Sequence, residues 1–348
     1  MDAEIATILA MDGIASGAIY LLIGLGLVLI FAVTRVIFVP FGDIAAFTGL
    51  SLAALENGHR PGTVGLVAVL AVLATLKETA LLVRTRELHR LPHTLLFYLV
   101  LPLAPAAAIW FTTGSVLPMP LRIVLALALV LPIAPLLDCL VFRPIADASV
   151  LLLLTVAVAL HFALDGLGLL FFGPEGVRTQ PLTETVLDIG GFIVNAQTLL
   201  IVAASIVFSG LLYLFFEFTL LGKALRATAI NRTGARLVGI RPTSTASKAY
   251  LLGSLLAGIS GVLIAPATTM FYDSGFLIGL KAFVGAIFGA MASYPVTALG
   301  AILVGLLESF ASFWSSAYKE VVVFGLLIPI LLWRSLSLGE VEEEEAEE

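Results

Sequence analysis

The run from Ile14 to Val33, IASGAIYLLIGLGLVLIFAV, holds twenty residues without a charge. A bilayer's hydrocarbon core is about 30 Å thick and takes roughly twenty apolar residues of helix to cross, so this run reads as a membrane span. It does not read as a cleavable leader. The preceding MDAEIATILAMDG carries Asp2, Glu4 and Asp12 and no basic residue before Arg35, whereas a leader opens on positive charge.

Comparable runs recur outward to the end of the chain. Charged residues and Pro/Gly breaks divide it into segments near 5–34, 37–56, 62–83, 91–113, 120–142, 148–172, 195–220, 246–270, 276–292, 296–313 and 320–338. The fold class that follows is all-α, a polytopic transmembrane helical bundle of about 10–11 membrane segments. Two segments are short or broken. The 37–56 segment opens on Pro40 and Gly42, and 276–292 stops at Ser293-Tyr294-Pro295. Both read as broken or re-entrant helices, which a membrane tolerates only where protein or a cavity covers the freed backbone.

Composition agrees. Of 348 residues, 60% are hydrophobic and 12% charged, against roughly 25% charged in soluble domains. A soluble enzyme, a secreted disulfide scaffold and a nucleic-acid binder are excluded as main readings, and Cys139, alone, forms no internal disulfide. Net charge is −6, but seven acids lie between Glu340 and Glu348, so the rest of the chain carries +1. The chain divides into one transmembrane domain over 1–338 and an acidic, disordered cytoplasmic tail over 339–348.

Lys and Arg gather on one side. Alternate connections place Arg35, Lys77, Arg84, Arg86, Arg90, Arg143, Lys223, Arg226, Arg232, Arg236, Arg241, Lys248 and Arg334 together, against Arg60, Arg122, Arg178, Lys281 and Lys319 opposite. Thirteen against five sets the N-terminus outside and both the 221–247 loop and the C-terminus in the cytoplasm. With no eukaryotic sorting signal, the expected location is a bacterial inner membrane. The one sizeable outward connection, 173–194, is turn-rich and reads as a cap.

The stretch with most mechanism in it is Gly222 to Ile240, GKALRATAINRTGARLVGI. Ala224, Ala227, Ala235 and Val238 form a small-residue face at helical spacing, and Arg226, Arg232 and Arg236 project elsewhere. Such a helix lies along the membrane and fits a partner's groove; an ordinary basic loop anchoring the next span has the same composition. The stretch resembles the cytoplasmic coupling loop of branched-chain amino acid ABC transporter permeases. The residues that carry the resemblance are Gly222, Lys223, Ala224, Arg226, Ala227, Ala229, Asn231, Ala235, Gly239 and Ile240. It extends through Gly13, Gly17 and Tyr20 of the first span and Arg143-Pro144-Ile145. It continues through Lys281, Phe283, Gly289, Ser293, Pro295, Gly300, Gly305 and Glu308.

The resemblance implies a permease subunit that docks ABC ATPase subunits through this loop. It further implies a second permease subunit, homologous or identical, and an extracytoplasmic solute-binding protein. The cargo it implies is a branched-chain amino acid or a related small carboxylate or amide. The sequence departs from the family in three places. The Asn-Phe-Ala-His-Gly-Glu signature is replaced by Phe38-Val39-Pro40-Phe41-Gly42-Asp43. Ala290, Ala292, Val296 and Ala301 stand at family glycines. Roughly 55 residues between Glu56 and Met119 are additional and read as two inserted helices within 57–119.

Paired broken segments in the two halves of a transporter point to its pathway. On that ground Phe38, Pro40, Phe41, Gly42 and Asp43, with Ser293 and Pro295, are the candidate translocation path; a plain kinked helix is the other reading. Two phenylalanines in place of Asn and His imply a less polar cargo, such as an apolar or aromatic carboxylate.

Charges within spans are costly and need partners. Lys281 and Glu308 lie on neighbouring short segments and pair across the turn, as a helix clamp or as part of an ion-coupled carrier that also uses Asp43. His161 and Asp165, one turn apart, read as an interhelical hydrogen bond, and Glu217 as a snorkelling side chain or a partner of Lys223. Gly13/Gly17, Gly253/Ala257/Gly261 and Gly285/Gly289 are close-packing spacings suited to the bundle or to a dimer. No phosphate-binding Gly-x-x-x-x-Gly-Lys-Ser/Thr is present, so ATP hydrolysis is expected on a partner chain. No nucleophile elbow and no metal-ligand cluster stands out, so no cofactor, metal or catalytic role is expected.

Overall fold

The computed structural model describes residues 3–112, 117–183, 185–189, 192–330 and 332. Arg334 and the acidic tail at 339–348 lie outside the described residues. In chain order the helices are α1 (Ala3–Thr34), α2 (Phe41–Glu56), α3 (Thr63–Thr85), α4 (Leu91–Leu95) and α5 (Leu101–Thr112). They continue with α6 (Met119–Val130), α7 (Ile133–Leu137), α8 (Val150–Phe172), α9 (Ala196–Phe218) and α10 (Leu220–Ile230). The last five are α11 (Arg232–Leu237), α12 (Pro242–Ile264), α13 (Ser274–Phe288), α14 (Tyr294–Trp314) and α15 (Lys319–Gly325). Among the described residues, eight helical stretches are long and apolar enough to cross a membrane. The protein is a polytopic membrane helical bundle.

Two of those eight are composite. A π-helical turn, Leu96–Val100, joins α4 to α5 in the span Leu91–Thr112. A second, Asp138–Phe142, follows α7 in the span Met119–Ile145. Wide turns of this kind leave carbonyls without an ordinary helical partner, and the Lys77 ammonium donates to the carbonyls of Cys139 and Leu140.

α1 and α12 lie inside the bundle, with 83% and 72% of their most apolar 18 residues buried; α8 and α9 lie at its edge, with 22% and 17%. Helices apolar all round are enclosed by others, and the edge helices turn Leu170, Phe162 and Ile206 outward, as a lipid-facing surface requires. Gly13 and Gly17 let α1 lie against α14: a Cβ on Gly305 would stand 2.3 Å from the Gly13 carbonyl oxygen. That pair of small residues is therefore spent within the chain.

α2 and α13 are short, at 16 and 15 residues. At 1.5 Å per residue they reach about 24 and 22 Å, less than a hydrocarbon core of about 30 Å. α2 is nonetheless sealed, with all its residues from Phe41 to Ala53 buried. It sits among α6, α8, α12 and α13, and a Cβ on Gly42 would fall 1.9 Å from the Gly275 carbonyl oxygen.

Three readings change. The 173–194 connection contains a two-stranded antiparallel ribbon, β1 (Val186–Ile189) with β2 (Phe192–Asn195), Val186 opposite Asn195. Its β-branched residues favour extended backbone. Val177 bridges to Met270, which lays this connection over the one after α12. The last segment, expected over 320–338, is a seven-residue helix, α15, followed by a turn and helix again over 327–330. Finally, the stretch around 224–236 is two helices. Asn231, at φ −147° and ψ 101°, is extended and parts α10 from α11.

Candidate functional site

The α10–α11 segment is held by caps that its sequence supplies. Thr219 ends α9 in an extended conformation, and its hydroxyl accepts from the Gly222 amide at 2.9 Å. The Asn231 side chain accepts from the Gly234 amide at 2.8 Å and starts α11. Gly239, at φ +85°, takes the left-handed conformation in which only glycine is unstrained. Its amide bonds Arg236 O and the Ile240 amide bonds Ala235 O, a pattern that satisfies the last carbonyls of a helix. Pro242 then opens α12.

The break at Asn231 divides the expected small-residue face. The inward residues are Gly222, Leu225 and Thr228 on α10 and Ala235 on α11. Ala224, Ala227 and Ala229 are half-buried, Lys223 and Arg226 exposed, and Val238 exposed rather than part of a shared face with Ala235. Outward stand Leu220, Ile230, Leu237 and Val238, at 88, 79, 84 and 75% exposure. Ile230 lies between Arg226 and Arg232, and Leu237 and Val238 between Arg236 and Arg241. Glu217 pairs with Arg226 at 3.5 Å, in place of the expected Lys223. About two turns of helix after the Thr219 corner bring Arg226 round to face Glu217 of α9.

A cavity of about 440 Å³ lies behind α10. Its wall combines the end of α1 (Phe31, Val33, Arg35) with Arg226 and with Ala290, Met291 and Ala292 of the turn between α13 and α14. In that turn Ala290 and Met291 have φ of +51° and +54°. Left-handed backbone costs a residue with a Cβ roughly 1–2 kcal/mol, and Ala290 occupies a position where the resembling family has glycine.

None of the seven candidate path residues belongs to that wall. Phe38 is fully buried, edge-on to Tyr250 at 5.2 Å and to Phe142 at 5.7 Å. Pro40, Phe41 and Gly42 are buried at the start of α2. Asp43, 2% exposed, meets His161 Nδ1 at 2.8 Å, and the imidazole stacks on Phe276 at 4.7 Å. His161 is thus bound across to α2, and its helix neighbour Asp165 is not the partner. Ser293 is half-buried and Pro295 exposed, at the other side of the turn. Phe38–Asp43 and Ser293–Pro295 are therefore not brought to a common cavity in this conformation.

Lys281 and Glu308 are brought together, at 2.6 Å, with two additional partners. Glu320 of α15 lies 3.0 Å from the same ammonium, and the Tyr20 hydroxyl donates to Glu308 at 2.5 Å. The cluster joins α1, α13, α14 and α15. Sequence reasoning missed Tyr20, 288 positions from Glu308, and Glu320, which stands beside Lys319 at the start of α15 and reads there as a boundary residue. Among the described residues no group of acidic, Cys or His side chains is arranged to hold a metal.

The sequence is similar to known proteins of one family. The family model for the branched-chain amino acid transport system permease component matches residues 9–331. The permease protein BraD of the high-affinity branched-chain amino acid transport system of Pseudomonas aeruginosa is 37% identical over 151 residues, 42% of this chain. LivH, the corresponding permease of Escherichia coli, is 29% identical over 202 residues, 55% of this chain. A probable branched-chain amino acid transport permease of Methanocaldococcus jannaschii is 28% identical over 123 residues, 35% of this chain and 39% of its own. The matched stretches span 49% of the length of BraD and 64% of LivH. No solved structure matches. The chain belongs to the branched-chain amino acid transport permease family.

Proposed function

We propose that the chain is the membrane-spanning subunit of an ABC importer. It forms the path for a branched-chain amino acid or a related small carboxylate or amide and couples it to a separate ATPase. The observation that carries this reading is the α10–α11 surface. A segment capped at Thr219, Asn231 and Gly239 exposes Leu220, Ile230, Leu237 and Val238 beside Arg226. Rigid apolar knobs ringed by cations suit a groove on a motor subunit.

In this reading residues 1–338 work as one permease domain in a bacterial inner membrane, N-terminus outside and α10–α11 in the cytoplasm. Two ATPases dock there, a second permease completes the pathway, and an external binding protein delivers the solute. Residues 57–119 are an added helix pair. Phe38 to Asp43 and the Ser293–Pro295 turn form path elements that come into register when the ATPases close and move α10–α11. The strained Ala290–Met291 turn behind α10 is the part of the wall that this movement reaches first.

An ion-coupled carrier has less support. Asp43 is engaged by His161, and Lys281 by two carboxylates, so the charges it would use are committed to helix–helix pairs.

Replacing Arg226 and Ala227 by glutamate tests the reading. Copurification of the ATPase is expected to fall about tenfold or more, a coupling loss of the usual size between linked sites, with the unfolding temperature of the chain unchanged. Transport by the chain alone in liposomes under an ion gradient would instead establish the carrier.

A further inference from the structure

Arg143 is the most connected side chain outside the regions already discussed. Its Nη1 lies 2.9 Å from Glu78 of α3 and donates to the Tyr98 hydroxyl, between α4 and α5, at 3.2 Å. Its Nη2 donates to Ser247 of α12 at 2.8 Å and lies 3.4 Å from Asp138. Ser247 in turn donates to Asp138 at 2.9 Å. Lys77, beside Glu78, holds the carbonyls of the π-helical turn that carries Asp138. Two cations, Arg143 and Lys77, and two carboxylates, Glu78 and Asp138, balance one another here.

These contacts lead to the coupling segment. Ser247 stands in the first turns of the helix that directly follows Gly239 and Ile240. Arg232, which opens α11, reaches the carbonyl of Ala146, three residues past Arg143, at 3.5 Å. Arg143, Ala146 and Arg232 line one small cavity with Asp138. The planar guanidinium offers its donors in a fixed fork, so it transmits direction as well as charge. A network of this kind holds its members more firmly than separate pairs do.

We infer that the α3–α5 helix pair braces the coupling segment, with Glu78 and Tyr98 as positioning residues that act through Arg143. The inference rests on the coupling role given to α10–α11 under the proposed function. With Glu78 in place, Arg143 is fixed from one side by the helix pair and from the other by α12, and α11 keeps its seat on Ala146. Without it the fork keeps only the Tyr98 hydroxyl from the helix pair and is drawn toward Asp138 and Ser247, and α11 and the start of α12 move more independently of the bundle. The helix pair then sets how faithfully motor movement reaches the membrane.

The test uses the full chain with its copurified ATPase in lipid nanodiscs, as unaltered protein, Glu78→Gln and Tyr98→Phe. The first readout is amide hydrogen exchange over 232–240, a segment neither residue touches. Both variants are expected to speed it, Glu78→Gln by about tenfold, and basal ATP hydrolysis is expected to rise about fivefold. Gln197→Ala is the control for general loosening, since it frees a buried side chain that ties α9 to Leu182 and Leu263. Exchange over 232–240 should not respond to it. Equal exchange in unaltered protein and both variants overturns the brace, as does equal acceleration by Gln197→Ala. Should Glu78→Gln fail to fold, Tyr98→Phe, which removes one oxygen, decides alone. An unaltered chain that binds no ATPase would defeat the importer reading, and the exchange measurement would still decide the brace.

Discussion

The short helix α2 and the short segment α10–α11 begin alike, each after an interruption of helix and each with a charged residue near its start, yet they end in opposite environments. α2 is enclosed by four helices, and its Asp43 is joined to His161 with both side chains under 5% exposed. α10–α11 turns Leu220, Ile230, Leu237 and Val238 outward, and its Arg226 meets Glu217 with both side chains about half exposed, at 52% and 47%. Inside, an ionic group is tolerated only because a partner is built in, and removing either member strands the other. At the surface water replaces a lost partner, so the same chemistry is nearly free of stability cost and available for recognition. The interior pairs hold the bundle together, and the surface segment is left open.

Four substitutions sharpen that contrast. The largest effect belongs to Lys281→Met, which leaves Glu308 and Glu320 facing one another without a cation. Breaking a buried pair in this way costs about 3–5 kcal/mol, read as a lowered unfolding midpoint in mixed micelles. A loss near 1 kcal/mol, the upper end for exposed pairs, would mean that solvent already reaches the cluster. His161→Ala comes next. It strands the buried Asp43 carboxylate and is expected to cost about 1–3 kcal/mol, with Asp43→Asn, which can still hydrogen-bond the imidazole, costing less. The smallest is Glu217→Gln, expected within about 0.5 kcal/mol of the unaltered chain. A large loss at Glu217 would erase the difference between the two regions.

Much of this architecture was legible in the chain. Runs such as Ile14–Val33 announce spans because the bilayer demands about twenty apolar residues wherever a helix crosses. The caps at Thr219 and Asn231, each accepting an amide three residues on, were not read from the chain. The Lys281–Glu308 pairing was legible too, the two residues lying on adjacent segments. The division of 222–240 into two helices was missed because Asn231 reads equally as a helix residue and as a cap until its backbone is seen. Strand signals in 186–195 were masked by the turn residues around them.

The sequence by itself determined the helical membrane fold, the approximate place of its long spans and the family pattern, because each is written in residues close together in the chain. Only the tertiary structure decided that His161 belongs to Asp43, 118 positions away, that Glu320 and Tyr20 join Lys281, and that Glu78, Tyr98 and Ser247 converge on Arg143. Those pairings depend on how each helix is rotated about its axis and how closely its neighbours approach. In a chain this uniformly apolar, periodicity leaves the rotation open until every helix has been packed.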